Sequence, residues 1–339
     1  MTDTVLVTGG TGFIAQWCIV ELLQQGYDVR TTIRRPDKEP VVRAAVATQA
    51  DPGDRLRCVV ADLTADDGWV GAVAGCTYVL HVASPMGGNE DDPESMIGPA
   101  RDGARRVLEA AIAAGVDRVV MTSAANTASP TSYGEDSVTD ETLWTELDAP
   151  GLPAYRRSKT IAERTAWEVA NGAGGATTLT TILPGAVFGP ILGVDQRGSV
   201  MVIGRMLSGA MPGTPKIGLE VVDVRDLVDL HLRAMTAPEA AGERFLGTGD
   251  FLWMGEIARI LKDGLGSAAG QVPTRVLPNV LVKTMAKRSP ELRGILPGLG
   301  RRNRHTTAKA EQVLGWQRRP VEETILDCAR SLLDHGVVG

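Results

Sequence analysis

The stretch that most constrains this chain is its beginning, "TVLVTGGTGFIAQWCIVELLQQG", from Thr4 to Gly26. A short β-rich run enters three closely spaced glycines. Helical spacing follows and stops at Gly26. Strand, glycine turn and helix in that order form the first arm of a βαβ unit. Gly9, Gly10 and Gly12 sit where the backbone turns tightly. Glycines there let the main chain approach a pyrophosphate, and the helix N-terminus behind them offers unpaired N–H groups. A glycine trio is a weak signal alone. Its place between a first strand and its helix makes dinucleotide binding the reading to carry forward.

The rhythm repeats downstream. "YDVRTTIRR", "LRCVVADL", "CTYVLHVAS", "VDRVVMTSA" and "ATTLTTILPGAVFGP" read as strands, with helical stretches between most of them. That alternation predicts an α/β fold of Rossmann type: a doubly wound parallel sheet, helices on both faces, and strand runs apolar enough for burial on both sides. After Pro190 the rhythm degrades, and glycine and proline are frequent from Leu192 to Gly218. "LEVVDVRDLVDLHLRAM" restores one strand and one helix. The expected division is a dinucleotide domain of residues 1–188 plus about 219–248. A smaller, mainly helical substrate lobe takes about 189–218 plus 249–339. A chain of 339 residues exceeds a usual single core, which suits a sheet domain with an appended lobe.

The totals narrow the partners. A net charge of −6 argues against nucleic acid and anionic membrane surfaces. No stretch is long and apolar enough to span a bilayer, and the N-terminus lacks the pattern of a signal peptide. Cys18, Cys58, Cys76 and Cys328 form no metal-ligand spacing, so reduced thiols in a cytoplasmic protein without a metal are expected.

Two further places carry chemistry. The second strand ends in Arg34-Arg35, with Lys38 close behind and no carboxylate at its tip. An acidic residue there would grip the ribose 2′-OH of NAD. Arginine, with its forked donors, suits the 2′-phosphate of NADP. Asp62-Leu63 ends the third strand, where an Asp can meet an adenine edge or act as a turn residue. "YRRSK" sets Tyr155 and Lys159 four apart on one helix face. A neighbouring ammonium favours tyrosinate, so the phenol pKa is expected to fall and Tyr155 to become a proton donor to a carbonyl.

TGGTGFIA, YRRSK, "HVASP" at His81 to Pro85, "VVDVRDL" and "AEQVLGW" together resemble the extended short-chain dehydrogenase/reductases, in particular their dihydroflavonol 4-reductase-like group. The resemblance implies an NADP(H)-dependent aldehyde or ketone reductase. It places Gly9, Gly12, Phe13 and Ile14 at the pyrophosphate, Arg34 at the 2′-phosphate with Lys38 nearby, and Asp62 and Leu63 at the adenine. Val82, Ala83, Ser84 and Thr122 would border the cofactor. Pro184, Gly185 and Val187 would face the nicotinamide, and Ser199 would reach cofactor phosphates or the pocket. Tyr155 would be the acid and Lys159 its partner. His81 reads as a packed strand residue. The tyrosine-cysteine motif of the cinnamoyl-CoA reductases is absent, which disfavours that substrate.

One position departs from the resemblance. The group has "TSS" where this chain reads Thr122-Ser123-Ala124, so its catalytic serine falls on Ala124. Neighbouring strand residues point to opposite faces, so Ser123 replaces it only at a kinked strand end. Ser123, Thr122 and Thr127 are the candidate substitutes. Alternatively Tyr155 polarises the carbonyl alone, or the chain binds NADPH without turnover. A sterol or sugar-nucleotide dehydrogenase or epimerase is a further alternative on the same scaffold. The pocket is expected to collect Ser84, Pro85, Met86, Ala124, Ser129, Pro130, Tyr133, Ile191, Met201, Ile203, Met206 and Met211, against the plainer reading that any one methionine is core. The segment Ala128 to Thr145 reads as a loop over the site, and "RRNRH" from Arg301 as a basic turn. A small-molecule carbonyl or alcohol is the expected partner, bound by a monomer or homodimer.

Overall fold

The computed structural model describes residues 3–85, 92–134, 136–194 and 198–338, the side chains of residues 290 and 291 excepted. Strands β1 (Thr4–Val7), β2 (Asp28–Ile33), β3 (Leu56–Val60), β4 (Tyr78–His81) and β5 (Arg118–Thr122) come first. They are followed by β6 (Asp136–Thr139), β7 (Thr178–Pro184), β8 (Ala186–Phe188), β9 (Gly218–Asp223), β10 (Arg244–Gly247), β11 (Asp250–Trp253) and β12 (Arg302–His305). Seven of them form one sheet in the order β10-β7-β5-β4-β1-β2-β3. Every pairing in it is parallel. The order reverses between β1 and β4, and the crevice beyond their carboxyl ends is where open α/β sheets bind ligands.

Alternation along β1 shows why the run is wholly apolar. Val5 and Val7 join a core on one face of the sheet, and Leu6 joins another on the opposite face. The first core takes α1 (Phe13–Gln24), with Ile19, Leu22 and Leu23 fully packed. The second takes α4 (Glu94–Ala113) and α5 (Ala154–Gly172) through Val107, Leu108, Ala162 and Ala166. Between α1 and α4 lie α2 (Glu39–Val46) and α3 (Trp69–Val73). As expected, α1 ends at a glycine: Gly26 has φ +92° and its N–H donates to the Leu23 carbonyl.

The second half differs from its expected form in two places. β9 leaves the central sheet and pairs with β8 and β11 in a small three-stranded sheet, so β10 supplies the seventh central strand. α6 (Val200–Leu207), α8 (Met254–Leu265) and the C-terminal helix Val321–Asp334 enclose a separate core with Phe188, Ile203, Met206, Ile257 and Ile325. "RRNRH" is a strand, not a turn. β12 pairs in parallel with β6, which lies inside the segment expected to be a loop. Its charges find partners: Arg304 pairs with Asp136 at 3.0 Å, and Asn303 Oδ1 accepts from Ser137 at 2.8 Å. α7 (Val224–Thr236) follows β9 directly, with Asp223 accepting from the Arg225 N–H as its cap. The acidic residues of "VVDVRDL" therefore clamp the C-terminal segment, Asp226 accepting from Arg319 at 2.8 Å.

Candidate active site

The glycine turn is tied down on both sides. Gly9 has φ +76°, and a methyl group there would stand 2.9 Å from the Ala83 Cβ, so conformation and space both demand glycine. Its N–H donates to Thr32 Oγ1 at 2.8 Å, and that of Gly10 donates to the Thr32 carbonyl at 2.9 Å. Gly12 is the N-cap of α1 and offers no side chain to its first turn. The leading N–H groups of α1 at Phe13 and Ile14 thus keep room for an anion. The cradle fits a pyrophosphate.

Behind it, the Ala83 N–H donates to Thr8 Oγ1 at 2.9 Å, and the Thr8 hydroxyl shares a hydrogen bond with His81 Nδ1 at 3.0 Å. His81 is buried, and burial, then the nearby Lys159 charge, pulls its pKa down to about 3. A neutral ring strapping β4 to β1 is a scaffold residue. Val82, Ala83, Ser84 and Pro85 line the exit of β4, all half-buried, while Met86 lies outside the described residues.

At the tip of β2, Arg34 is exposed and makes no hydrogen bond or ion pair among the described residues. Arg35 is spent on Asp37 at 3.0 Å, and Lys38 is half-buried. Asp62 accepts from the N–H and hydroxyl of Thr64, both at 2.9 Å, which closes a turn after β3. Leu63 beside it packs against Gly103, where an added Cβ would come within 2.9 Å.

The carboxyl end of β5 is fully wired. The Thr122 hydroxyl donates to His231 Nε2 at 2.8 Å, away from the crevice and toward α7; His231 Nδ1 donates to the Leu227 carbonyl at 2.8 Å. Ser123 is buried and donates to Glu163 Oε2 at 2.6 Å. Thr127 also donates to Glu163 Oε2, at 2.6 Å, and accepts from Arg244. Glu163 Oε1 accepts from Thr181 and from Arg244 Nε, each at 2.8 Å. Glu163 is fully buried and Arg244 nearly so, and the four donors satisfy both carboxylate oxygens. None of the three hydroxyls weighed as a substitute at position 124 is unengaged. Ala124 itself is buried. Sequence reasoning missed Glu163, Arg244 and His231. Glu163 had a signal, since it lies four residues beyond Lys159 on the same helix face. The other two arrive from distant segments.

Lys159 is 8% exposed, and burial lowers its pKa to about 8, against a smaller opposing effect of Glu163. Tyr155, one turn earlier, keeps 45% of its surface exposed. Protein packed around the phenol raises its pKa by desolvation, and the open side limits that effect. The expected lowering by Lys159 is therefore corrected. In the free protein the phenol is neutral, and desolvation acts on both groups, raising the tyrosine and lowering the lysine.

Pro184, the last residue of β7, is buried and Gly185 half-buried; a methyl group on Gly185 would stand 2.3 Å from the Glu220 carbonyl oxygen. Val187 is 9% exposed, and Ser199 precedes α6 as its N-cap. Met206, Ile203 and Ile191 pack inside the lobe core, so their placing as pocket wall is corrected: the lobe needed apolar filling and they provide it. Met201 and Met211 are half-buried. Tyr133, also half-buried, has the Arg156 guanidinium 5.6 Å from its ring centre, and its carbonyl accepts from Arg301. Ser129 is engaged by His305 Nε2 at 2.9 Å, and His305 Nδ1 meets Glu220 Oε2 at 2.5 Å. That chain joins the segment after β5 to β12 and β9. A cavity of about 690 Å³ lies elsewhere, between Lys216, Trp253, Arg259 and Thr274, and none of the residues above lines it.

A Rossmann sheet with an anion cradle and a tyrosine-lysine helix defines a dinucleotide-dependent class. Comparison with known proteins places the chain within it. Residues 5–246 match the model of the NAD dependent epimerase/dehydratase family. Cinnamoyl-CoA reductase 2 of Arabidopsis thaliana is 32% identical over 98% of this chain and 93% of its own. Dihydroflavonol 4-reductase of Zea mays is 33% identical over 77% and 74%. Among solved structures, yeast methylglyoxal/isovaleraldehyde reductase complexed with NADPH superposes with a TM-score of 0.81 at 24% identity, covering 99% of this chain and 100% of that one, and shows the shared fold. The chain belongs to the NAD dependent epimerase/dehydratase family, the extended short-chain dehydrogenase/reductases, on their dihydroflavonol 4-reductase-like branch.

Proposed function

We propose that this protein is an NADPH-dependent oxidoreductase that reduces an aldehyde or ketone, and oxidises the alcohol in reverse. The observation that carries the reading is the pairing of a buried Lys159 with a Tyr155 that stays nearly half open, on the helix packed against β5 and β7. Bound NADPH supplies the hydride. The chain's own residues do the rest. Gly9, Gly12 and the first turn of α1 hold the pyrophosphate, and Arg34 faces the 2′-phosphate. Pro184, Gly185 and Val187 limit how the nicotinamide lies, and Tyr155 donates its phenolic proton to the carbonyl oxygen. Lys159, mostly protonated near neutral pH, supports that transfer as a nearby cation. The relatives reduce a CoA thioester or a flavonoid by name, and this chain lacks the tyrosine-cysteine motif of the former, so a free carbonyl is the substrate class it fits.

A second reading has one observation behind it. With Ala124 at the serine position and the neighbouring hydroxyls engaged, the chain would bind NADPH without turnover. Consumption of NADPH with a panel of aryl and alkyl aldehydes, ketones and keto-esters separates the two. Turnover that Tyr155→Phe abolishes supports the reductase. Tight NADPH binding with no turnover of any carbonyl supports the binding form.

A further inference from the structure

Tyr155, Lys159 and Glu163 follow one another at intervals of four along α5, so they share one face of the helix. Glu163 is the deepest of the three and is fully buried. Ser123 and Thr127 donate to its Oε2, each at 2.6 Å. Thr181 of β7 and Arg244 of β10 donate to its Oε1, each at 2.8 Å. A carboxylate this deep is held as an anion because a guanidinium and three hydroxyls meet both its oxygens. Lys159 stands differently. It is buried, yet its ammonium makes no hydrogen bond or ion pair among the described residues. The groups around it carry little charge. Tyr155 is a neutral phenol. His81 on β4 and His231 on α7 are neutral rings, their pKa values lowered by burial to about 3 and about 4. α4 meets this turn through the Met96 carbonyl, which accepts from Ser158 at 3.0 Å. Arg244 is bonded to Glu163. An anion one helical turn away favours an ammonium, and more so in a dry interior than in water. Burial disfavours the Lys159 charge, and Glu163 opposes that effect.

We infer that Glu163 is a positioning residue for the reaction: its buried carboxylate, anchored by Arg244 and the hydroxyls at the ends of β5 and β7, is the counter-charge that keeps Lys159 an ammonium beside Tyr155. The inference rests on the reductase reading above. Glu163 acts through Lys159, and no bond is made or broken at its carboxylate. The hydroxyls that flank Ala124 then serve this anion rather than the substrate.

The test starts from Glu163→Gln, which removes the charge and keeps the shape. Its amide oxygen can accept from Thr181 and Arg244, and its amide nitrogen can donate to the Ser123 and Thr127 hydroxyls. Two quantities are followed against pH. One is kcat/KM with NADPH and the best aldehyde of the panel. The other is the rate at which acetic anhydride labels Lys159 in protein without NADPH, read by mass spectrometry, since acetylation needs the neutral amine. Losing the anion disfavours the ammonium, so both midpoints should fall by about one pH unit. The kcat/KM should then stay within about twofold of the parent at pH 6 and lie about tenfold below it at pH 9. Glu163→Asp keeps the charge but reaches fewer donors, so it should unfold at lower urea and leave both midpoints within about 0.3 pH unit of the parent's. Glu163→Gln combined with Arg244→Met leaves no buried charge alone and should move both midpoints downward as well. Midpoints unmoved in both glutamine variants, or a loss of kcat/KM equal at every pH, would overturn the inference and leave Glu163 a scaffold residue. A parent that turns over no carbonyl overturns the reductase reading itself, and the labelling midpoints still decide whether Glu163 holds the Lys159 charge.

Discussion

Ser123 shows how a residue next to the chemistry can belong to the scaffold. Its hydroxyl is committed to the buried Glu163 carboxylate at 2.6 Å. Ser123→Ala should therefore cost roughly 1.5–3 kcal/mol of stability, the range for a hydrogen bond to a charged group, and leave kcat within a few fold. Urea unfolding and kinetics on the same preparation read both. Lys159 sets a pH limit. It is protonated below about 8 and loses its charge above. The kcat/KM for carbonyl reduction, which reports the free enzyme, should be level below that pH and fall as pH rises through it. Arg34 has no protein partner to lose among the described residues. Arg34→Ala should raise KM for NADPH roughly ten- to a hundredfold, as expected for a lost charge-assisted contact, and leave KM for NADH little changed.

The elements explain what could be read in advance and what could not. The strand–glycine–helix start was legible because its restraints are local: Gly9 needs φ +76° and Gly26 ends α1 with φ +92°. Tyr155 and Lys159 were legible because one turn of helix relates them. The Glu163–Arg244 pair was not, since α5 supplies one partner and β10 the other, 81 residues apart. No sequence period reports such a meeting. The same holds for β12, whose "RRNRH" looks like a solvated basic run until Asp136 on β6 and Glu220 on β9 are brought to it. Position 124 was legible as a departure, but the engaged state of its neighbouring hydroxyls needed the tertiary structure. The buried pair also gives an element-scale prediction. Arg244→Ala leaves the Glu163 charge uncompensated beneath α5 and should destabilise by about 3–5 kcal/mol. An unchanged urea midpoint would contradict the role given to the pair.

At the scale of the molecule, the sheet order β10-β7-β5-β4-β1-β2-β3 brings the glycine turn, the exit of β4 and the end of β5 to one edge of the sheet. Two buried histidines fasten these strands, His81 to β1 and His231 to β5. Burial lowers their pKa values to about 3 and about 4. Unfolded histidine takes up its proton near pH 6.5, which the native rings refuse until these lower values. Stability should therefore be complete above pH 6.5 and fall as pH drops toward 4 and then 3. Urea midpoints measured across that range should decline less steeply in His231→Gln. The central claim, that this edge delivers hydride to a carbonyl, is met most directly by isotope transfer. NADPH deuterated at C4 on the transferred face is incubated with the enzyme and an aldehyde, and the alcohol is analysed by mass spectrometry. The account predicts one deuterium on the carbinol carbon, from one face of the nicotinamide only, and none with Tyr155→Phe. NADPH that stays bound and unoxidised, or an alcohol formed without the label from either face, would contradict it.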